Sequence, residues 1–283
     1  MTIGVVGLGL IGGSMARAYK AAGNTVYGAD TDKASLGYAL LSEITDKELT
    51  NENISECELL FIAIYPEAGA EFLEQNAEYI SKDCVVIDLC GTKRKICDKG
   101  FSLSEKYGFT FVGGHPMAGT QFSGIKYSRK DLFRGAPMVI VPPRYDDIVL
   151  LDRIKTLLSP VGFGSISVTT ATKHDELIAF TSQLAHIVSN AYIKSETAQS
   201  HGGFSAGSYK DMTRVAKLNA KMWTELFSEN SDFLIKELEY IISSLNEYKQ
   251  ALENNDYDEL FSLLKAGSDI KEKIDGTATA KKG

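Results

Sequence analysis

The strongest constraint on the fold is a rhythm that runs through the first 170 residues. Short apolar runs alternate with amphipathic stretches. "TIGVVG" (2–7), "TVYGAD" (25–30), "LLFIAIY" (59–65), "CVVIDL" (84–89), "FTFVGG" (109–114) and "MVIVPP" (138–143) read as strands. Between several of them, segments 11–22, 67–80 and 93–106 read as amphipathic helices. Strands joined through helices run parallel, and the helices cover both faces of the sheet. "GSISVTT" (164–170) is predicted to close this layer.

From about Ala171 the texture changes. "TKHDELIAFTSQLAHIVSNAYIKSE" places Leu177, Phe180, Leu184, Ile187, Val188 and Ala191 on one stripe at three- and four-residue spacing. "HGGFSAGS" (201–208) interrupts this helix, and helical pattern returns through 209–245 and 256–272. The small, polar tail "DGTATAKKG" is expected to fray. The sequence thus predicts a Rossmann-like, mostly parallel α/β sheet over 1–170. An all-helical domain over 171–283 follows, for substrate binding and dimerisation. Its long apolar stripe needs covering, so a homodimer is expected.

Composition narrows the partners. The net charge of −7 offers no general surface for nucleic acid or an anionic membrane. Cys57, Cys84, Cys90 and Cys97 form no C-x-x-C pair and have no histidine at ligand spacing, so no metal is expected and the thiols read as reduced. No apolar run is long enough to span a bilayer, and with a strand at Thr2 no targeting peptide is expected. A cytoplasmic location follows as the expectation.

Directly after the first strand stands "VVGLGLIGGS", with Gly7-x-Gly9-x-x-Gly12 leading into a helix. Gly7 permits the tight turn, Gly9 admits a pyrophosphate against the backbone, and Gly12 lets helix and strand pack closely. The free N–H groups where Leu10 and Ile11 open the helix face the phosphate charge. Asp30 ends the second strand, 18 residues beyond Gly12, where a carboxylate takes the ribose hydroxyls. That carboxylate repels a 2′-phosphate, and no arginine follows it in "ADTDKAS", which favours NAD over NADP. Asp32 reads as the cap of the next helix.

"GGHPMAG" (113–119) fixes one of only four histidines at the end of a strand. Pro116 biases His115 toward an extended backbone, and Gly113 and Gly114 leave room around a ring or cofactor. At the carboxyl edge of a parallel sheet, such an imidazole suits a base that receives a hydroxyl hydrogen as hydride leaves the same carbon.

With "GLGLIGGS", the stretch "GGHPMAGT…SG" resembles the prephenate/arogenate dehydrogenases of tyrosine biosynthesis, and the likeness continues through "SQLAHIVSNAY" (182–192) and "AGSYKDMTRVAKLNAKMW" (206–223). The resemblance implies an NAD-dependent oxidative decarboxylation of prephenate to 4-hydroxyphenylpyruvate, with His115 as the catalytic histidine. It places the substrate-binding arginine at Arg214 and a second substrate-side histidine at His186; Lys210, four residues before Arg214 on the same helical face, adds positive potential by its spacing. Thr120 and Gln121 fall beside the substrate, Gln121 standing where some relatives carry glutamate. The family serine that orients the histidine falls on Gly91 or Thr92, and Thr92 has the hydroxyl. Arogenate is the alternative substrate, and tyrosine is implied as an inhibitor at the same site. No regulatory domain is expected after the helices and no mutase-like extension before the first strand.

Two rivals remain open from the sequence. A β-hydroxyacid dehydrogenase also joins a Rossmann domain to helices, but leaves His115 idle. An NAD-sensing binding protein would keep Gly7, Gly9, Gly12 and Asp30 without needing His115 or Arg214.

Overall fold

A computed structural model of the chain describes residues 1–120 and 122–280, with the side chains of 277–280 excepted. Gln121, expected beside the substrate, lies outside the described residues. The chain divides into two compact units, Met1–Ser231 and Asp232–Gly283.

In the first unit each apolar run becomes a strand: β1 (Thr2–Val6), β2 (Thr25–Ala29), β4 (Leu59–Ile62), β5 (Val85–Asp88), β6 (Thr110–Pro116), β7 (Pro137–Val141) and β8 (Ser165–Val168). A two-residue strand, β3 (Lys47–Glu48), escaped the sequence reading because it is too short to carry a pattern. The sheet order is β3-β2-β1-β4-β5-β6-β7-β8, and all described pairs are parallel except β6 with β7.

Alternation along the strands feeds two cores. On one face Ile3, Val5, Phe61, Val85 and Ile87 meet Met15 and Tyr19 of α1 (Leu10–Ala21), Leu36 of α2 (Lys33–Leu41) and Ile154 of α5 (Ile148–Leu158). On the other, Val6, Leu60, Ile62 and Val86 meet Leu73 of α3 (Pro66–Asn76) and Ile96 and Cys97 of α4 (Arg94–Tyr107). The four cysteines are free and buried, and burial raises the Cys57 and Cys84 thiols to about 12. Asp32 caps α2 through the N–H groups of Ala34 and Ser35, as its position predicted.

The predicted long helix after residue 170 is three pieces: α6 (Ala171–Ile178), a π-helical turn (Ala179–Leu184) and α7 (Ala185–Tyr192). Of the expected stripe, Leu184 is buried but Leu177 and Phe180 are exposed. The face turned inward instead carries His174, Asp175, Ile178 and Gln183, a mixed polar and apolar set. A π-turn lengthens the hydrogen-bonded ring and rotates the residues after it, which a plain 3.6-residue period misses. Then come α8 (Gly207–Thr213) and α9 (Ala220–Glu229).

The second unit is the pair α10 (Ser231–Glu253) and α11 (Tyr257–Ala280), α10 starting at the last residue of the first unit. The tail expected to fray is helical through Ala280. Among the described residues of this unit only Leu234 and Ala251 are buried. No described helix is long and apolar enough to cross a membrane.

Candidate active site

The sheet order reverses between β1 and β4, and the crevice beyond the carboxyl ends of such a pair is where open α/β sheets hold ligands. The glycine loop fills that crevice. Gly7 has φ +89°, and an added Cβ would fall 2.5 Å from the Ala63 carbonyl oxygen at the end of β4. At Gly12 it would strike the Gly7 carbonyl. At Gly9, by contrast, it would meet nothing within 4 Å. The loop is therefore tight against protein at two glycines and open at the third, as a backbone cradle for a pyrophosphate requires. Gly9 begins α1 without a side-chain cap, which leaves the N–H groups around half-buried Leu10 and Ile11 facing the crevice.

Asp30 takes a second task. Its Oδ2 accepts the Leu8 N–H at 2.7 Å and its Oδ1 accepts the Asp32 N–H at 2.8 Å. These bonds fix the carboxylate beside the loop, and each oxygen keeps acceptor capacity for a ribose. Lys33, the nearby cation, pairs with Glu48 at 3.5 Å.

His115 sits beyond the last residues that β6 pairs with β5, at the same edge of the sheet. The space around Gly113 and Gly114 is not kept for a ligand, contrary to the sequence reading. A Cβ at Gly113 would meet Cys97 Sγ at 2.5 Å, and one at Gly114 the Asp88 carbonyl at 2.6 Å. These glycines let the strand lie flush on α4 and β5, which sets the histidine's position from beneath.

The partner of His115 was not foreseen. Its Nδ1 lies 2.9 Å from Nε2 of His174, and Nδ1 of His174 lies 2.7 Å from Oδ1 of Asp175. His174 and Asp175 are both almost wholly buried on α6. Asp175 also accepts the N–H groups of Lys93 (2.7 Å) and Arg94 (3.0 Å) and pairs with the Arg94 guanidinium at 3.2 Å. Burial alone would raise its carboxyl. The bonds from His174 and from these N–H groups outweigh that and hold it below the usual carboxylate value. Burial pushes His115 well below the ordinary histidine value, assisted by His174 and the Lys93 charge. His174 is lowered by burial too, against the opposing pull of Asp175.

Beneath them lies a fully buried ion pair between Lys93 and Asp88. Burial opposes the Lys93 charge, but the Asp88 carboxylate against it outweighs that and raises the ammonium's pKa. Asp88 further accepts the N–H groups of Cys90 at 3.0 Å and Gly114 at 3.2 Å. Lys93 thereby braces two neighbours of the histidine, Asp175 through its backbone and, through its side chain, the carboxylate that holds Gly114.

Of Gly91 and Thr92, the two positions open to the orienting serine, only Thr92 has a hydroxyl, and it is engaged elsewhere. Its hydroxyl donates to Oε2 of Glu229 at 2.6 Å, and the contact to His115 comes from His174. Glu229 belongs to α9, which covers this part of the crevice. Leu226 packs where a Cβ at Gly91 would come 3.2 Å from Cδ2, and Glu225 accepts the Glu67 N–H at the start of α3. Gln183 donates to the Leu226 carbonyl and accepts from Asn230, which also donates to the Asp175 carbonyl.

Of the other expected residues, His186 and Arg214 interact. The ring of half-buried His186 lies 4.1 Å from Trp223 and its Nδ1 is 2.8 Å from the Ser182 carbonyl oxygen. Burial lowers its pKa, and the Arg214 charge lowers it further although the Ser182 carbonyl raises it, so Arg214 acts on His186. Arg214 and Lys210 are both exposed, at the end of and within α8. Thr120 is exposed in the loop after β6, its hydroxyl engaged with the Phe122 backbone. His174, Asp175 and Glu229 were missed because their roles arise from contacts between distant segments. The adjacent His-Asp of "TKHDE" was the one signal available.

Comparison with known proteins adds two family matches. Residues 15–167 match the model described as "Prephenate dehydrogenase, nucleotide-binding domain", and residues 170–266 match "Prephenate dehydrogenase, dimerization domain". Prephenate dehydrogenase of Bacillus subtilis is 29% identical over 100% of this chain and 77% of its own length. Cyclohexadienyl dehydrogenase of Zymomonas mobilis is 27% identical over 93% of this chain and 92% of its own. Among solved structures, prephenate dehydrogenase from A. aeolicus in complex with hydroxyphenyl propionate and NAD+ has a TM-score of 0.82 at 26% identity, covering 97% of this chain and 98% of that one. Synechocystis arogenate dehydrogenase has a TM-score of 0.79 at 26% identity, covering 97% and 100%.

Proposed function

Because the chain belongs to the prephenate dehydrogenase family and is an oxidoreductase, we propose that its crevice carries out the NAD-dependent oxidative decarboxylation of prephenate. The observation that carries this reading is the placement of His115: an imidazole held uncharged at the sheet edge that bears the glycine loop. The glycine loop fits a dinucleotide, being open at Gly9 alone among its three glycines, with Asp30 beside it to take the ribose hydroxyls. Bound NAD supplies a nicotinamide that accepts the hydride from C4 of the substrate.

The protein's own residues do the rest. A ring nitrogen of His115 takes the hydrogen bond of the C4 hydroxyl and strengthens it as hydride leaves. The ring carboxylate departs as carbon dioxide, its bonding pair enters the ring, and the oxygen ends as a phenol, so no proton is gained or lost overall. Arg214, with Lys210 one turn away, supplies cationic attraction for the dianion, and His186 braced on Trp223 faces the same substrate. Thr120 lines the approach. Thr92 helps indirectly, by tying α9 over the crevice through Glu229.

The working unit in this reading is a homodimer in the cytoplasm, formed by the helical segment 171–283. Tyrosine, which shares the product's phenol ring, competes for the same crevice. Arogenate differs from prephenate in bearing an amine for the side-chain ketone, and it is the second substrate to test, because one structural relative is an arogenate dehydrogenase.

Reduced cofactor followed by absorbance separates the readings. Turnover with NAD and prephenate, or with arogenate, supports this function, and their kcat/KM ratio fixes the preference. Turnover of β-hydroxyacids alone would replace it with the rival dehydrogenase. NAD binding without any turnover would make the chain a cofactor-sensing protein. Arg214→Ala should raise KM about 30-fold, an effect of about 2 kcal/mol for a charge pair that becomes buried only with substrate.

A further inference from the structure

His115 has two ring nitrogens, and only one of them can serve the substrate. The neighbours decide which. Asp175 is ringed by donors, the N–H groups of Lys93 and Arg94 and the Arg94 guanidinium, which favour its ionised, acceptor-only form. The third partner, Nδ1 of His174 at 2.7 Å, must therefore donate. A neutral His174 that donates from Nδ1 has a bare Nε2, which can only accept. The atom facing that Nε2 at 2.9 Å is Nδ1 of His115, so the proton between the rings belongs to His115.

We infer that His174 is a positioning residue which, held by Asp175, locks His115 with Nδ1 protonated and Nε2 bare toward the substrate hydroxyl. The inference rests on the proposed function for its catalytic consequence, while the tautomer itself follows from the hydrogen bonds around Asp175 and neutral rings, whatever the substrate. As positive character develops on His115, the bond to His174 and the Asp175 carboxylate behind it disperse that charge. The other charged groups facing the pair are Lys93, Asp88 and Arg94. The Lys93 charge lowers both histidines, which keeps the rings neutral and the tautomer meaningful.

Glutamine and alanine at residue 174 separate positioning from packing. The carbonyl of a glutamine side chain can accept from His115 Nδ1 as the imidazole Nε2 does, whereas alanine offers nothing. His174→Ala should lower kcat roughly 30- to 300-fold with KM within about threefold of wild type. His174→Gln should restore most of that loss, to within about fivefold. An independent readout needs no variant at residue 174: nitrogen-15 NMR of labelled histidine rings in the wild-type protein with NAD, His115 being assigned by the signals lost in His115→Asn. The expected pattern is a protonated Nδ1 and a bare Nε2 on His115.

A proton found on His115 Nε2 overturns the inference, as does a glutamine variant no faster than the alanine variant or an alanine variant with unchanged kcat. If His115→Asn itself kept full kcat, the proposed function would lose its base, while the NMR result would still decide the tautomer.

Discussion

The sheet and the last two helices solve the same problem in opposite ways. In β1, β4 and β5 the apolar side chains are sealed, Ile3, Val5, Phe61 and Ile87 each at 0% exposure, because helices of the same unit cover both faces. In α10 and α11, Ile242, Leu245, Phe261, Leu264, Ile270 and Ile274 are all more than half exposed. Apolar area left in water on this scale suits a surface of interaction. The side chains around His115 thus find their partners within the first unit, whereas the helical pair leaves large apolar side chains in water, so association through it is the expectation to test. Changes in the first region should act on chemistry and stability, and changes in the second on association.

The largest effect tests the first half of this division. His115→Asn should lower kcat by about two to four decades with little change in KM or oligomeric state, measured by steady-state kinetics and sedimentation. Next comes the buried pair. Lys93→Met strands the Asp88 carboxylate in a dry interior and should cost about 3–5 kcal/mol of stability, read by denaturant unfolding. A loss below about 1 kcal/mol would mean that water reaches the pair.

The helical unit should respond differently. Leu264→Glu is expected to weaken association by about 2 kcal/mol, the value of one buried leucine, and to change the concentration dependence of Tm while leaving the first unit folded. An unaltered dimer, or a chain monomeric from the start, would break the comparison.

Much of the fold was legible because its causes are local. Period-two apolar runs and Gly7, Gly9 and Gly12 act within a few residues of themselves, and so does the Asp32 cap. The site was legible only where backbone geometry announced it, at the glycine loop and at "GGHP". His174 was hidden because its meaning comes from His115, 59 residues away along the chain. The π-turn at Ala179–Leu184 breaks the period on which the stripe was drawn, so one stripe does not run on from α6 into α7. The resemblance left the orienting serine's place to Gly91 or Thr92, of which Thr92 has the hydroxyl, and that hydroxyl bonds the carboxylate that a facing helix offers at Glu229.

The smallest effect is one of pH and stability. His115, His174 and His186 all titrate below the ordinary value of 6.5 in the folded chain, so the unfolded chain binds more protons as pH falls past that value. Their contribution to stability is complete above 6.5 and is lost as pH falls through the depressed folded values. Tm should therefore decline on the acid side of 6.5, and less steeply in His115→Asn.

The most direct test of the central claim is the pH dependence of kcat/KM for wild type beside His115→Asn. An imidazole kept uncharged by its surroundings predicts a wild-type profile that stays level through pH 6.5 and falls only well below it, with that acid limb missing from the variant. A wild-type break at or above 6.5, or the same acid limb in both proteins, would contradict it.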